Sequence, residues 1–539
     1  MVEKKLAYDL LYIKVTILRQ RRNIMEIIND YGVLSLIPAF LAVFLAFKTK
    51  NVVLSLLISL MSGTLILSSG NPWTALQMLF SKYLFVDLAA GNNPQTIIMM
   101  SIIGGFVALI EKSGGAQAFA KYVSKSVNTR TKAQVFCWLG GLAIFFSDSG
   151  NSLMLGPIFR PIFDKLKISR EKLSYILDST SSPVCILLPI TGWGVYITSI
   201  IASEFKTLGI NESDMSIFFK AIPYQFYAIL ALLLIPIIAI QKKEFGYMAK
   251  AEHRTLYENK IFNDYVDQNE INKIEVIENG KKTSTKNIII PLGILFAVIL
   301  IMFISWGFPT KNIPGSKIRI ALTSGYLVAS IAAIILIVKD KIMTFEESFS
   351  TFIGGIQRMA SILVVIVIAW GVGSVSKDLG TSNYVVNSTL GILTPNLIPA
   401  FIFIIGVVIS FATGTSWGTF AILLPLGIQM AHSFEASIPL TIAAVLSGGL
   451  FGDHCSPISD TTIMSSMAAE CNHLDHVKTQ LPCAGIAAAG SFVTYLIVGF
   501  INMSSILALG LAIVITIIIY TIACKVWGES FANVKNTEE

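Results

Sequence analysis

Four aspartates lie in or beside stretches that are otherwise apolar: Asp148, Asp178, Asp453 and Asp460. A charged carboxylate near the centre of a bilayer costs roughly 2.5–3.5 kcal/mol on insertion scales. Each aspartate stands among hydroxyl or amide side chains, in SDSGNSL (147–153), DSTSSPV (178–184) and FGDHCSPISDTT (451–462). Carboxylates in this setting predict a site for a cation or a proton, because such an ion would offset the cost of burial.

The polar residues around these aspartates supply oxygen ligands of the kind that Na⁺ prefers. Pro183 and Pro457 interrupt the helices that carry Asp178 and Asp453, and an unwound helix exposes backbone carbonyls as further ligands. We predict an ion or substrate site formed by Asp148, Asn151, Ser152, Asp178, Ser181, Ser182, Thr415, Ser416, Thr419, Asp453, His454, Ser456 and Asp460. Within it, Na⁺ is assigned to Asp148, Asn151, Ser182, Asp453 and Ser456.

Structural roles remain open for the same residues. Serine and threonine in membrane helices usually bond to their own backbone or to a neighbouring helix. Instead of binding an ion, the aspartates could cap a helix or form a structural pair. His454 is either a titrating group or a hydrogen-bonded structural histidine. His473 and His476 stand three residues apart in HLDH (473–476), but they lack an HExxH pattern, so we expect no metal there.

Composition identifies the class of protein. The chain has 539 residues, of which 54% are apolar and only 14% charged, and no Lys or Arg occurs between Lys377 and Lys478. A soluble domain carries about 25% charged residues, so this chain is predicted to cross a membrane many times. The net charge of +7 then reports cytoplasmic loops, and no nucleic-acid partner is expected. The six cysteines lack zinc-type spacing, and no cofactor is expected.

Apolar segments predict an all-α polytopic fold with about 11 spans. Nine segments are uninterrupted: 32–47, 51–69, 96–111, 216–240, 287–306, 318–338, 355–376, 479–501 and 505–524. Two broken transmembrane helices cover 171–203 and 438–468. Two further segments, 131–167 and 395–432, are predicted to be re-entrant hairpins, because a polar tip separates two short apolar helices in each.

The interruptions recur in the same order, which predicts an internal duplication. Gly150 stands seven residues before Pro157, and Gly418 stands seven before Pro425. Basic residues flank the first hairpin at both ends and are absent from both ends of the second, so the repeats are predicted to be inverted. The predicted parts are an amphipathic, basic N-terminal segment (1–30), two transmembrane repeats (31–241 and 287–501), a solvated cytoplasmic linker (242–286), and a final helix with a tail (502–539).

Two long segments resemble the NhaC-type Na⁺/H⁺ antiporter family of the ion-transporter superfamily. They are 147–197, beginning SDSGNSLMLGP, and 449–484, beginning GLFGDHCSPISDTT. The resemblance extends over nearly the whole chain after about residue 30. It implies inverted repeats, elevator-like movement and secondary transport in the inner membrane of a bacterial cell. Relatives are described as Na⁺/H⁺ antiporters, malate–lactate exchangers and carriers of amino acids or tetracycline. The first tip often carries two acidic residues in the family, and here Ser147 replaces one of them.

The leading hypothesis is therefore Na⁺/H⁺ antiport, not enzymatic catalysis. Na⁺ and protons compete for Asp453, assisted by Asp148, and alternating access carries the ion across; Li⁺ is kept as a further cation. The alternative is Na⁺-coupled transport or exchange of a small amino, hydroxy or carboxylic acid between Trp193 and Trp417. No Arg is expected near either tip, which speaks against a dicarboxylate. The lipid bilayer is the expected surrounding, and a homodimer is kept as an alternative to a monomer.

Overall fold

The computed structural model of the chain describes residues 31–49, 51–91, 93–115, 127–263, 284–308, 314–381, 394–501 and 503–531, with Ala118 and Tyr384. These residues form helices and one pair of three-residue strands. Eight of the described helices are long and apolar enough to cross a membrane, or ten spans if each of two bent helix pairs counts as one. The prediction of an all-α polytopic membrane protein is confirmed. The prediction for segment 1–30 lies outside the described residues.

The helices of the first half are short and frequently interrupted. They are α1 (Ile37–Thr49), α2 (Val52–Leu67), α3 (Pro72–Met78), α4 (Phe85–Ala89), α5 (Asn93–Lys112), α6 (Arg130–Ala143), α7 (Asp148–Lys165), α8 (Arg170–Ser179), α9 (Ser182–Cys185), α10 (Gly192–Leu208), α11 (Asp214–Ala221) and α12 (Phe226–Gln241). A short strand, β1 (Lys243–Phe245), and a helix, α13 (Gly246–Tyr257), follow.

The helices of the second half are mostly longer. They are α14 (Lys286–Ser305), α15 (Gly315–Lys339), α16 (Phe345–Asp378), α17 (Ile398–Thr413), α18 (Ser416–Ser433), α19 (Ile438–Cys455), α20 (Asp460–Ala469), α21 (His473–Phe500) and α22 (Ser505–Trp527). The strand β2 (Gly528–Ser530) then pairs antiparallel with β1. The predicted span 355–376 begins ten residues earlier, because Thr344 and Glu347 form a capping box before α16.

Both predicted hairpins are pairs of helices joined at a short break. The first consists of α6 and α7, and the second of α17 and α18. Gly414 turns the second tip with φ +67°, a conformation that glycine adopts without strain. The second helix of each hairpin has 18 residues, with Pro157 and Pro425 at the same position within it.

The two broken helices are interrupted at different depths. In the first, α8 ends at Ser179, its tenth residue. One break separates α8 from α9, and a second separates α9 from α10. In the second, α19 continues for 18 residues to Cys455 before α20 begins. The two hairpins therefore resemble each other more closely than do the broken helices that follow them. That the repeats are inverted stays a prediction.

Two helical segments differ from the sequence prediction. Residues 72–89 form α3, a π-helical turn and α4, bent by 117° against α2, where no element was predicted. The predicted span 216–240 is two helices, α11 and α12, bent by 45° at Pro223 and Gln225. Proline lacks the N–H that a continuous helix would need.

The described part of the linker is docked, and the prediction of a solvated linker is wrong for it. Met248 is fully buried, and Glu252 is only 1% exposed. The carboxylate of Glu252 accepts hydrogen bonds from Ser169 at the start of α8 and pairs with Arg130 at the start of α6. Charged residues at the start of α8 bind the same segment: Arg254 donates to Glu171 at 2.9 Å, and Lys172 lies 2.7 Å from Glu244.

Breaking one of these buried pairs should destabilise the protein. Lys172→Met leaves Glu244 buried without its cation, a change that typically costs about 3–5 kcal/mol. We expect the melting temperature of the purified protein to fall. The control is Lys220→Met, since Lys220 pairs with Glu212 at the surface, where such pairs contribute about 0–1 kcal/mol. Equal melting temperatures for the two variants would show that the docked segment does not support the fold.

Candidate functional site

A cavity of about 660 Å³ lies where the two hairpin tips meet α5 and α16. Its charged lining residues are Glu111, Asp148, Arg358, Asp453 and Asp460. Four carboxylates therefore face one guanidinium, and a cleft with an excess of one sign of charge concentrates ions of the other sign. The site is suited to a cation by its charge, although its volume is much larger than a single ion.

The first tip is held between α5 and α10. Ser147 caps α7, because its hydroxyl accepts the Gly150 N–H at 3.0 Å, and the same hydroxyl donates to Glu111 at 2.7 Å. Asp148 follows as the first residue of α7, and its Oδ2 accepts the indole N–H of Trp193 at 3.1 Å. The Asp148 carbonyl accepts from Ser181 at 2.6 Å. The first break of the broken helix thus supports the hairpin tip directly.

The residue before the second helix has nearly the same backbone conformation in both tips. Thr415 has φ −143° and ψ 128°, against −141° and 125° for Ser147. Thr415 and Trp417 line the cavity, whereas the Ser416 hydroxyl donates to the Gly449 carbonyl. The Trp417 ring packs against Trp193 with 4.8 Å between ring centroids. Trp193 therefore contacts both tips.

Asp453 is the most enclosed carboxylate of the lining, with only 5% of the residue exposed. Its Oδ2 accepts from Ser182 at 2.8 Å, and its Oδ1 accepts from Ser459 at 3.1 Å. Its carbonyl accepts from Thr461 and Thr462. Asp453 thus stands at the end of α19 with donors from the other broken helix and from the break that follows it. Asp460 begins α20 and is exposed in the cavity.

Several predicted ligands lie outside the cavity lining and have structural contacts. The Asn151 amide donates to the carbonyls of Gly141, Ile144 and Thr180. The other hydroxyls of this group bond as follows: Ser152 to Ser465, Thr419 to the Thr415 carbonyl, and Ser456 to the Phe411 carbonyl. Such contacts match the structural alternative for hydroxyl side chains, which is a bond to their own backbone or to a neighbouring helix.

Asp178 and His454 also lie behind the lining, in a separate buried cluster. Asp178 contacts His476 and Gln480 of α21. The His454 ring lies 2.7 Å from the hydroxyl groups of both Ser179 and Tyr227. The structure therefore divides the predicted site into a cavity group around Asp148 and Asp453 and a second group around Asp178.

The sequence analysis missed two charged residues of the cavity. Arg358 donates to Glu111 at 3.0 Å, and both residues line the cavity, so the expectation that no Arg lies near a tip is wrong. Helices α5 and α16 approach closely here, since a Cβ on Gly104 would lie 2.7 Å from the Gly355 carbonyl. The sequence contained one indication of this contact: Arg358 lies among the apolar residues of the predicted span 355–376. Glu111 supplies a carboxylate beside Ser147, where the family often has an acidic residue in the tip itself.

Comparison with known proteins identifies the family and the fold. A model of the Na⁺/H⁺ antiporter family matches residues 184–500. An uncharacterized protein of Haemophilus influenzae is 31% identical over 90% of this chain and 95% of its own length. The malate-2H⁺/Na⁺-lactate antiporter of Bacillus subtilis is 26% identical over 40% of this chain and 43% of its own. The crystal structure of the Alcanivorax borkumensis YdaH transporter has a similar fold, with a TM-score of 0.57 and 12% identity over 80% of this chain and 90% of that one.

The contact between the first hairpin and the second broken helix can be tested by cross-linking. The hydroxyl oxygens of Ser152 in α7 and Ser465 in α20 lie 3.0 Å apart. We expect Ser152→Cys combined with Ser465→Cys to form a disulfide under mild oxidation, because cysteine sulfurs would replace oxygens already in contact. Mass spectrometry of proteolytic fragments detects the link. Each single substitution is the control for the six native cysteines, and an unlinked double variant would contradict this packing.

Proposed function

Because this chain belongs to the Na⁺/H⁺ antiporter family, we propose that it exchanges Na⁺ for protons across the inner membrane of a bacterial cell, with the Asp453 carboxylate binding either ion in turn. Independently of this proposal, the chain is a multi-pass membrane transporter of an antiporter family and not an enzyme. The single observation that carries the proposal of Na⁺/H⁺ exchange is the position of Asp453. It is a buried carboxylate in the lining of an acidic cavity.

The surroundings of Asp453 support reversible ion binding. The Ser182 and Ser459 hydroxyls donate to its carboxylate. A hydroxyl oxygen is also an acceptor, so each of these groups can turn a lone pair to a bound Na⁺ when the ion replaces the hydrogen bond. A proton on the carboxylate satisfies the same oxygens. Two competing ions at one carboxylate are sufficient for exchange.

The tips provide the means of alternating access. Trp193 joins the two hairpins, since it donates to Asp148 of the first and packs on Trp417 of the second. Tyr196, one turn further along α10, donates to the Trp417 carbonyl at 2.9 Å. In this proposal, Asp148 assists Asp453 from the opposite side of the cavity, and the two tips move together with the bound ion.

Reconstituted liposomes test this function directly. The protein is placed in vesicles that contain a pH-sensitive dye, a pH gradient is imposed, and Na⁺ or Li⁺ is added without any organic solute. We expect the gradient to dissipate in proportion to the cation added. If the gradient remains while amino or hydroxy acids accumulate only with Na⁺, the antiport proposal is wrong.

Removing the charge of Asp453 should abolish exchange. Asp453→Asn keeps the shape of the side chain but removes the negative charge that binds Na⁺ or a proton, so cation-dependent proton flux should fall to the level of empty vesicles. One of the two hydroxyls, Ser182 or Ser459, must then rotate to accept from the amide NH2 group. The matched control is Asp340→Asn, an exposed aspartate beyond the end of α15, which should leave the flux unchanged. Full coupling in Asp453→Asn would exclude this residue from the ion site.

A second candidate is Na⁺-coupled transport or exchange of a small organic acid. The cavity of about 660 Å³ falls within the usual range for small-molecule sites, roughly 300–1,000 Å³. It contains Arg358 and the Trp193–Trp417 pair, and α7 and α20 begin at its wall, where helix N-termini favour an anionic group. The name of the Bacillus subtilis relative, a malate and lactate antiporter coupled to protons and Na⁺, points the same way.

Arg358 discriminates between the two candidates. If a carboxylate-bearing solute binds, Arg358→Gln should weaken its binding by about 10- to 100-fold, because a hydrogen bond to a charged group contributes about 1.5–3 kcal/mol. Arg358→Lys should be intermediate, since lysine keeps the charge but loses the planar fork. Binding of labelled hydroxy and amino acids to the purified protein measures this. Equal affinity for a solute in wild type and Arg358→Gln would exclude Arg358 from its recognition.

A further inference from the structure

A second ionisable cluster lies behind the cavity and none of its members lines it. Asp178 is 1% exposed, and His476 and Gln480 are fully buried. Oδ2 of Asp178 lies 3.3 Å from Nε2 of His476 and accepts from Gln480 at 2.8 Å. Antiport at Asp453 does not require this group, and a buried carboxylate inside a membrane protein is a functional candidate in its own right.

The cluster has unused hydrogen-bonding capacity. Oδ1 of Asp178, Nδ1 of His476 and Oε1 of Gln480 are buried without a partner among the described residues. Such atoms are uncommon, because each unpaired buried polar group costs about 1–3 kcal/mol. A proton added to the Asp178–His476 pair either neutralises the carboxylate or makes the imidazole its counter-ion, and both changes lower the cost of burying a negative charge. The buried pair is therefore a candidate site for a proton.

Among the described residues that face Asp178, none carries a permanent positive charge. The titratable groups that face it are Asp453, His454 and Cys455 of α19, His476 of α21 and Tyr227 of α12. The ions at the start of α8 are occupied by partners: Arg170 by Glu470, Glu171 by Arg254 and Lys172 by Glu244. With both histidines neutral, the buried charge of Asp178 has no counter-ion in this group, and one added proton would neutralise it.

We propose that Asp178 and His476 form a second proton-binding site, separate from the cavity, which loads one proton in addition to the one exchanged at Asp453. This proposal rests on the proposed antiport function. The two sites are linked through Gln480, whose amide donates both to Asp178 and to the carbonyl of His454, the residue after Asp453. Because the two carboxylates repel each other in a medium of low dielectric constant, a proton on Asp178 weakens Na⁺ binding at Asp453. His476 lies in the first turn of α21.

The test compares the number of protons exchanged for each Na⁺. Null-point measurements in liposomes give this ratio for the wild type, Asp178→Asn and His476→Gln. We expect the ratio to fall by one proton in both variants, and the proton dependence of Na⁺ binding to become shallower, with Na⁺/Na⁺ counterflow of ²²Na⁺ largely retained. The matched control is His473→Gln. His473 is on the same helix, but both of its ring nitrogens already have partners, the Ser466 hydroxyl and the Pro457 carbonyl, so the wild-type ratio is expected.

Infrared difference spectroscopy gives a second measurement that does not depend on transport. Acidification of the wild type should produce a carboxylic-acid C=O band that Asp178→Asn lacks and His473→Gln retains. An unchanged proton ratio, or the same band in Asp178→Asn, overturns the second site. Loss of Na⁺/Na⁺ counterflow in Asp178→Asn also overturns it, because Asp178 would then serve cation binding or the fold. Absence of Na⁺-dependent proton flux in the wild type refutes the antiport proposal instead, and the infrared result still decides whether Asp178 binds a proton.

Discussion

The architecture depends on satisfying the backbone where helices stop inside the protein. Carbonyls freed at a helix end carry a large energetic penalty in apolar surroundings unless a donor reaches them. One side chain, Asn151, donates to three carbonyls at two helix ends: those of Gly141 and Ile144 at the end of α6, and that of Thr180 at the end of α8. The first hairpin and the first broken helix are thereby fixed to each other at their interruptions. The carboxylates can occupy this region because the backbone around them already has partners.

The same principle explains why the acidic cavity combines both halves of the chain. Each half leaves polar groups at its breaks, and these groups find partners in the other half. Ser182 of the first broken helix donates to Asp453 of the second, and Tyr196 of α10 donates to the carbonyl of Trp417 in the second hairpin. Neither half alone would complete these hydrogen bonds. Residues from both tips line the cavity, which therefore requires both halves to be assembled.

Helix breaks and hairpins were predictable from the sequence, because neighbouring residues determine them, whereas contacts between distant helices were not. A polar tip between two apolar helices predicted the helix pairs 131–167 and 395–432 within a few residues of their observed bounds. The contact of Arg358 with Glu111 was not predictable, because it requires α5 and α16 to cross closely at small residues far apart in sequence. For the same reason, the pattern around Asp178 indicated a buried carboxylate correctly but not that α21 would cover it and remove it from the cavity. The docked part of the linker was missed because its charges resemble those of a solvated segment, whereas they are buried as pairs.

The hydrogen bond from Ser147 to Glu111 has a consequence for movement. Glu111 belongs to the last turn of α5, an uninterrupted helix, and Ser147 is at the tip of the first hairpin. The bond therefore exists only at one position of the hairpin along α5. A vertical displacement of the tip by one helical turn, about 5.4 Å, would separate the two oxygens and release Glu111 to Arg358 alone. Any movement of the first tip along α5 therefore requires this hydrogen bond to break.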